Sequence, residues 1–286
     1  MPSHKLSELE LANLHIMGYS VAGEETVVAV PSLDVCFDVG KAPDQIISIN
    51  HVLLTHGHMD HAAGIAYYLS HRNFDGQAPG TILAPKNIIA PIQQIVDAWG
   101  RLDGNRVPGK LVGMEPGDEY KVKSNLIARA FATVHCRGSL GYTVLEKRKK
   151  LKPEYTQLTG PQIVELKRQG IAIENPIEIP LVTYLGDTQY TADYAQCDDV
   201  ANSKILIAEC TFYEEEHLER SQAGRHLHVR DFARLTAELN NDHIVLIHAT
   251  QRTGMREIKQ MLRKHLSQDV QDKLVLLMDR RHQGRA

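Results

Sequence analysis

The side chains best suited to chemistry lie in one seven-residue segment, which contains three imidazoles and a carboxylate. The segment reads Thr55-His56-Gly57-His58-Met59-Asp60-His61. It follows an apolar run, His51–Leu54, that predicts a buried strand, and it precedes a run from Ala62 to Leu69 that predicts a helix. We therefore expect the segment to form the tight connection between a strand and a helix.

The spacing within this segment favours two metal ions over one. In an extended turn His56 and His58 project to the same side, and Asp60 lies at the helix start, where the dipole favours a carboxylate. Imidazole nitrogen and carboxylate oxygen suit zinc and similar divalent ions. Since four ligands this close cannot reach one ion without strain, we predict two neighbouring ions, one bound by His56 and His58 and the other by Asp60 and His61.

The alternative for this segment is a polar loop whose histidines cap helices or face solvent. A lone loop histidine usually has such a role. Three histidines within six residues, with an aspartate among them and a buried strand before them, favour metal binding instead.

Length and composition are those of a soluble globular enzyme. The 286 residues suffice for one large domain or two small ones and for a substantial core, and 43% are hydrophobic and 23% charged. No apolar stretch approaches the roughly 20 residues that span a bilayer, and the first ten residues lack the apolar region of a secretory signal. The four cysteines are scattered without a C-x-x-C pair, which fits reduced thiols in the cytoplasm and excludes zinc ribbons and disulfide scaffolds.

The charge is unevenly distributed along the chain. The net charge is −3, yet the segment from Glu146 to Gly170 contains seven lysine and arginine residues against three glutamates. Phosphate binding depends on local rather than net charge. The segment is therefore either a nucleic-acid contact or an ordinary solvated face.

Apolar and turn patterns predict alternating strands and helices. Short strands are expected in the first forty residues, and a helix from about Asn87 to Trp99, ended by Gly100. Later helices are predicted from Pro161 to Arg168, from Val229 to Leu239 and from Arg256 to Leu266. The tail from Arg280 to Ala286 is expected to be mobile.

Five apolar runs each end in a polar group. These groups are His56, His135, Asp187, Glu209 and His248. If the strands lie in packed sheets with the same ends together, the groups converge on one edge, where sites in layered α/β folds are built. Each alone has an ordinary alternative, because a lone histidine is usually structural and Gly-Asp-Thr can be an Asx turn. Together they favour a site.

The motif from Thr55 to His61 resembles the signature of the metallo-β-lactamase superfamily. Later elements resemble the ribonuclease Z family, whose members remove 3′ trailers from precursor tRNA. These elements are His135 before Gly141-Tyr142, Gly186-Asp187-Thr188, Ala208-Glu209-Cys210-Thr211-Phe212, Arg225-His226-Leu227-His228 and Leu246-Ile247-His248-Ala249-Thr250-Gln251-Arg252. The resemblance covers the chain from about Leu14 to Arg252.

This resemblance implies an α/β fold, the αββα four-layer sandwich, with a dinuclear metal site at one edge of the sheets. It implies a single domain over residues 1–286 with a short basic arm at about 146–178, and commonly a homodimer. It also implies two Zn²⁺ per chain, with Mn²⁺ or Fe as alternatives. One zinc would be bound by His56, His58 and His135, the other by Asp60, His61 and His248, with Asp187 bridging both.

Two such ions, roughly 3.5–4 Å apart, can clamp the attacking and leaving oxygens of an in-line displacement. Asp60 can also accept a hydrogen bond from the nucleophile. By analogy with the family, His226 protonates the leaving group and is oriented by Glu209. The alternative proton donor is His228, two residues later in the sequence. The alternative role of Glu209 is to form a structural ion pair.

Arg252 can neutralise a phosphate oxygen, and Lys147, Lys149 and Lys150 of the arm can contact an RNA backbone. Ribonuclease Z commonly has a longer Gly/Pro-rich arm, so the short basic stretch resembles the reduced arm of the short members. Thr253 occupies the position at which members of that family often have an aromatic residue after the arginine.

The first functional hypothesis is therefore a cytoplasmic, zinc-dependent endonuclease acting on precursor tRNA. The second is a hydrolase of the same fold acting on a small phosphodiester, ester or lactone. The third is a catalytically silent binding scaffold, against which the complete set of seven ligands argues.

Overall fold

The computed structural model describes residues 6–279 and residue 282, so the tail predicted to be mobile lies outside the described residues except for His282. Fourteen strands in this part of the chain form two seven-stranded sheets. The first sheet contains β1 Ser7–Leu11, β2 Leu14–Val21, β3 Glu25–Val30, β4 Val35–Phe37, β5 His51–Leu53, β6 Thr81–Pro85 and β7 Lys110–Met114. The second contains β8 Glu119–Lys121, β9 Leu126–Ala132, β10 Leu140–Leu151, β11 Glu174–Tyr184, β12 Ile205–Glu209, β13 His243–Ile247 and β14 Leu274–Leu276.

Both sheets follow the same plan. In the first, β1 to β4 are antiparallel neighbours and β4 to β7 are parallel neighbours. In the second, β8 to β11 are antiparallel and β11 to β14 are parallel. The parallel strands of each sheet therefore end at one edge, where loops can carry functional groups.

Helices pack on the outer faces of the sheets. In the described residues they are α1 Met59–Ala62, α2 Ile65–Phe74, α3 Ile89–Asp103, α4 Gly160–Arg168, α5 Asp193–Gln196, α6 Asp198–Ala201, α7 Leu218–Gly224, α8 Val229–Ala237, α9 Met255–His265 and α10 Gln268–Lys273. Tyr68 of α2 and Ile92 of α3 join the apolar cluster outside the first sheet, and Phe232 of α8 and Leu262 of α9 join the one outside the second. None of these helices is long and apolar enough to cross a bilayer.

The main apolar core lies between the two sheets. It contains fully buried side chains from both, among them Phe37 of β4 and Tyr184 of β11, whose rings stack with centroids 4.8 Å apart. Burying one such side chain contributes about 1.5–3 kcal/mol. The succession of helices, sheet, sheet and helices is the four-layer αββα sandwich, which confirms the predicted fold class.

The predicted helices lie where the structure has helices, but two of them differ in their bounds. The helix predicted from Ala62 to Leu69 begins at Ile65 and continues to Phe74 as α2. The three later helices correspond to α4, α8 and α9 within about two residues at each end. The prediction that Gly100 ends α3 was wrong, because the helix continues to Asp103 and is capped by Gly104. Gly104 adopts a left-handed φ of 70°, a conformation that suits glycine at a helix C-terminus, whereas Gly100 stays within the helix.

The basic segment forms the far part of a long hairpin. Strands β10 and β11 pair from Tyr142 and Tyr184 to Leu151 and Glu174, and α4, which has no buried residue, lies between them in sequence. At about 3.3 Å per residue, the nine steps between the ten residues from Tyr142 to Leu151 span roughly 30 Å. Since β11 ends three residues before Asp187, the tip of the arm lies far from that residue within the same chain.

Candidate metal centre

The polar groups that follow the strands meet at one edge, as predicted. They surround Asp187, which is 2% exposed and follows β11. Its Oδ2 lies 3.2 Å from Nε2 of His61, 3.3 Å from Nε2 of His248, 3.8 Å from Nε2 of His56 and 3.9 Å from Nε2 of His135. Loops of both sheets thus place their nitrogen donors around one carboxylate.

Most of the donors fall into two groups. His56, His58, His135 and Asp187 form one, and Asp60, His61 and His248 form the other; within each, one donor atom per residue lies within 4.8 Å of the others. A third group, Asp187, His226 and His248, shares members with both. Nδ1 of His58 is 3.1 Å from Nε2 of His135, and Oδ2 of Asp60 is 3.5 Å from Nε2 of His248. This division is the one implied by the family resemblance, with Asp187 between the two groups.

The donor atoms fit a pair of divalent cations. Nε2 of His56, Nε2 of His61 and Oδ1 of Asp187 are buried and make no hydrogen bond within the described residues, an arrangement that costs free energy unless another partner is present. Burial, together with the neighbouring imidazoles, lowers the pKa of His56 well below its usual value, which favours the neutral ring that binds metals. Imidazoles and carboxylates in this number suit zinc and similar ions.

A second layer of hydrogen bonds orients the imidazoles. Nδ1 of His61 donates to the Asp38 carboxylate at 2.7 Å, and Nδ1 of His135 donates to the Arg225 carbonyl at 3.2 Å. Both bonds turn Nε2 of the ring towards Asp187. The hydroxyl oxygen of Thr211 likewise lies within hydrogen-bond distance of a ring nitrogen, 3.0 Å from Nδ1 of His248. Such outer partners fix the tautomer and the ring orientation of metal-binding histidines.

Asp38 is a functional residue that sequence reasoning missed. It is completely buried after β4 and accepts hydrogen bonds from Thr55, His61 and Tyr184. The available signal was an apolar run, Val35 to Phe37, that ends in a carboxylate, which is the pattern that identified the five other strand ends.

The backbone around the donors is strained. Asp38, Arg225 and His248 have positive φ values of 53°, 53° and 56°. Residues other than glycine rarely adopt this left-handed conformation, and it clusters at functional sites when the surroundings enforce it. Ala12, Asn13, Asp34 and Ala42 adopt the same conformation, so it accompanies the donor groups without being confined to their edge.

Glu209 and the partly buried His226 form a proton-holding pair beside the donors. Glu209 is completely buried and accepts hydrogen bonds from the backbone of Thr188 and Leu227, from Thr211, and from Nδ1 of His226 at 2.9 Å. Burial opposes protonation of His226, but the charge and the hydrogen bond of Glu209 outweigh it and raise the pKa of His226 to about 9. The His226 ring stacks on that of His248, with centroids 5.4 Å apart.

His228, the alternative acid, has a different environment. It is completely buried, its Nε2 lies 3.1 Å from the Glu214 carbonyl, and its Nδ1 accepts from the Arg230 backbone at the start of α8. These contacts give His228 a helix-capping role away from the donors.

A cavity of about 520 Å³ opens over the site. It is lined by His58, Asp60, Asp187, His226 and His248, and also by Phe212, Arg220 and Arg252. The predicted position of Arg252 near the donors agrees with this structure. Arg220 was not predicted, because it follows a segment rich in glutamate that gave no sign of anion binding.

The arm lysines are not brought to the site. Lys147 is paired with Glu119 at 3.2 Å and with Glu178 at 3.4 Å. Lys149 and Lys150 are exposed on β10 and make no ion pair with any described residue. Any contact that these side chains make with a substrate would therefore be remote from the donors of the same chain.

Comparison with known proteins agrees with this geometry. Residues 30–249 match the sequence profile of the β-lactamase superfamily domain. The chain is 32% identical to tRNase Z TRZ1 of Arabidopsis thaliana over 259 residues, covering 89% of this chain and 92% of that protein. It is 30% identical to the chloroplastic tRNase Z TRZ2 of the same plant over 274 residues, covering 95% of this chain and 77% of that one.

Solved structures show the same fold at lower sequence identity. The human short-form tRNase Z superposes with a TM-score of 0.61 at 14% identity, covering 91% of this chain and 95% of that one. The metallo-β-lactamase fold protein YhfI of Bacillus subtilis superposes with a TM-score of 0.63, also at 14% identity, with the same coverage of both chains.

Proposed function

The chain belongs to the β-lactamase superfamily and, within it, to the tRNase Z proteins, and we propose that it is a zinc-dependent endoribonuclease that removes 3′ trailers from precursor tRNA. Membership of this family makes it a metal-dependent hydrolase. The observation that carries the proposal is the hydrogen bond between Glu209 and His226, because His226 lines the same cavity as members of the two donor groups. A proton donor is thereby held beside a site for two cations.

We assign the metal ligands as the geometry groups them. His56, His58 and His135 would hold one ion, Asp60, His61 and His248 the other, and Asp187 both. When bound, a pair of divalent ions supplies Lewis acidity, which lowers the pKa of water and neutralises charge on a phosphate. We propose two Zn²⁺ per chain, because nitrogen donors predominate, with Mn²⁺ or Fe as alternatives.

The protein groups carry the proton transfers in this proposal. His226 is held through Nδ1 by Glu209, which leaves its Nε2–H to protonate the departing oxygen of the phosphodiester. Asp60, which accepts a hydrogen bond of 3.0 Å from the Gly23 backbone, is oriented to accept one from the attacking nucleophile. Arg252 would neutralise a phosphate oxygen at the cavity wall.

A cytoplasmic homodimer is part of the same proposal. The four cysteines are unpaired, and two of them are fully buried, which suits a reducing compartment. Tyr67, Trp99 and Leu102 are 52%, 55% and 76% exposed and line an apolar groove between α2 and α3, a surface suited to a second copy. Light scattering of the purified protein tests the dimer, and a monomeric mass at micromolar concentration would contradict it.

The decisive experiment incubates the zinc-loaded protein with precursor tRNA and, separately, with a simple aryl phosphodiester. Cleavage of the precursor at its 3′ trailer supports the proposal. Hydrolysis of the aryl ester with intact precursor would favour a hydrolase of small substrates. If neither is cleaved and no zinc co-purifies, the chain is a binding scaffold.

A further inference from the structure

Part of the lining of the cavity over the candidate metal centre is left largely unused by the proposed chemistry. This part, the basic wall, consists of Arg220, Arg252 and Phe212. Neither guanidinium is in an ion pair with any described residue. Apart from the candidate ligands Asp60 and Asp187, no carboxylate lines the cavity. The basic wall therefore adds two uncompensated positive charges, one more than a single phosphate requires.

Hydrogen bonds and packing of helix α7 fix the backbone from which the Arg220 side chain extends. The Ser221 carbonyl accepts the backbone N–H of His226 at 2.9 Å, and the Ser221 side chain is buried and donates to the Leu218 carbonyl at 2.7 Å. A Cβ on Gly224 would lie 3.0 Å from Cδ2 of His226, so the end of the helix packs directly on that ring. Arg220 precedes Ser221, so its backbone is held while its side chain stays exposed.

Phe212 supplies an aromatic face next to the same imidazole. Its backbone N–H bonds to the Leu227 carbonyl at 3.3 Å, and the centroid of its half-buried ring is 6.1 Å from that of His226. Aromatic side chains beside a basic groove are the usual platform on which single-stranded nucleic acids stack their bases.

We infer that Arg220 and Phe212 form a subsite for the nucleotide adjacent to the cleaved phosphodiester. Arg220 neutralises the phosphate that flanks the reacting one, and Phe212 stacks on the base. The inference rests on the proposed function for the position of the cleaved bond. It identifies the substrate class as an oligonucleotide, because a lone ester or lactone has no flanking phosphate and no neighbouring base.

Binding of a short RNA tests the subsite independently of turnover. The probe is a fluorescein-labelled, single-stranded hexaribonucleotide with phosphorothioate linkages that resist cleavage, and its Kd for the zinc-loaded protein is measured by anisotropy over a salt series. Arg220→Gln is expected to weaken binding about tenfold and to reduce the slope of log Kd against log salt by about 0.7. Arg220→Lys retains the charge and is expected to keep the slope.

Two further variants separate stacking from charge. Phe212→Leu is expected to weaken binding about tenfold without changing the salt slope, because stacking involves no counterion. Arg101→Gln is the matched control, since Arg101 is an exposed helical arginine on α3 that lines a different cavity. It should bind the probe as the unmodified protein does.

The outcomes distinguish this inference from the proposed function. If Arg220→Gln binds the hexanucleotide with unchanged Kd and salt slope, the subsite is wrong even when precursor tRNA is cleaved. If precursor tRNA remains intact but Arg220→Gln and Phe212→Leu weaken binding as described, the subsite stands and the tRNA substrate is wrong.

Discussion

His61 and Asp38 are joined by a hydrogen bond of 2.7 Å between Nδ1 and Oδ2, and both side chains are completely buried. The bond turns Nε2 of His61 towards Asp187, 3.2 Å away. Asp38 also accepts from Thr55 of the first sheet and from Tyr184 of the second. One carboxylate behind the donors therefore orients a candidate ligand and connects the two sheets.

Replacing Asp38 by asparagine is expected to weaken zinc binding about 10–100-fold, because the amide cannot match a carboxylate as acceptor for the imidazole N–H. Competition with a chromophoric chelator measures the affinity. Asp34→Asn is the matched control, since Asp34 lies at the other end of β4, also with a left-handed φ of 60°. Equal zinc affinity of the Asp38 variant and the unmodified protein would show that the contact is only structural.

Metal binding is expected to stabilise the fold. The buried Nε2 atoms of His56 and His61 and Oδ1 of Asp187 gain partners only when cations bind. Zinc at about 1,000 times its Kd contributes roughly 4 kcal/mol for each ion bound, or roughly 8 kcal/mol for two ions, and at about 2 °C per kcal/mol for a chain of this size the Tm should rise by roughly 16 °C. Calorimetry with and without a chelator measures the change.

Asp187→Ala provides the control for that measurement. It removes the carboxylate shared by both donor groups, so zinc should raise its Tm by much less. An equal rise in the variant would place the stabilising metal elsewhere. Elemental analysis of the unmodified protein should return two zinc ions per chain.

The metal donors could be predicted because His56 to His61 are close in sequence and the others each follow an apolar run. The fold was predictable from the same alternation of strands and helices and from the family resemblance. Asp38 was not found, because one carboxylate after a short strand resembles an ordinary turn. Arg220 was not found, because only packing of α7 on His226 brings it to the cavity.

The arm shows a different limit of the sequence. Its positive charge is evident from composition, but the pairing of Lys147 with Glu119 and Glu178 depends on strand neighbours that sequence does not reveal. The length of the β10–β11 hairpin, which moves the lysines away from the donors, also follows only from the observed register.

His226→Ala is expected to reduce kcat about 10²–10⁴-fold, because the departing oxygen loses its proton donor. Zinc content should be unchanged, since His226 is held by Glu209 rather than by the donors. Rates on precursor tRNA and elemental analysis provide the two readings. Loss of zinc together with activity would mean that His226 is a ligand.

His228→Asn is the comparison for this variant. Asparagine can still cap α8, and the buried contact with the Glu214 carbonyl is lost, so a stability decrease of about 1 kcal/mol is expected. Its kcat should remain within about threefold of the unmodified enzyme. A larger fall in kcat for His228→Asn than for His226→Ala would reverse the assignment of the acid.

The arm lysines are expected to contribute to the binding of large substrates only. Lys149 and Lys150 are exposed, and the register of β10 places the tip of the arm roughly 30 Å along the strand from Tyr142. Replacing both by alanine should therefore raise KM for precursor tRNA about three- to tenfold and reduce its salt dependence, because two phosphate contacts are lost. The same variant should bind a single-stranded hexanucleotide normally, since the subsite inferred for that probe lies beside the metal centre and not on the arm. Lys147→Ala is the matched control, because its ammonium is already paired with Glu119 and Glu178.

An unchanged salt slope for precursor tRNA in the double variant would remove the arm from substrate binding, and weaker hexanucleotide binding would mean that the arm folds back towards the metal centre.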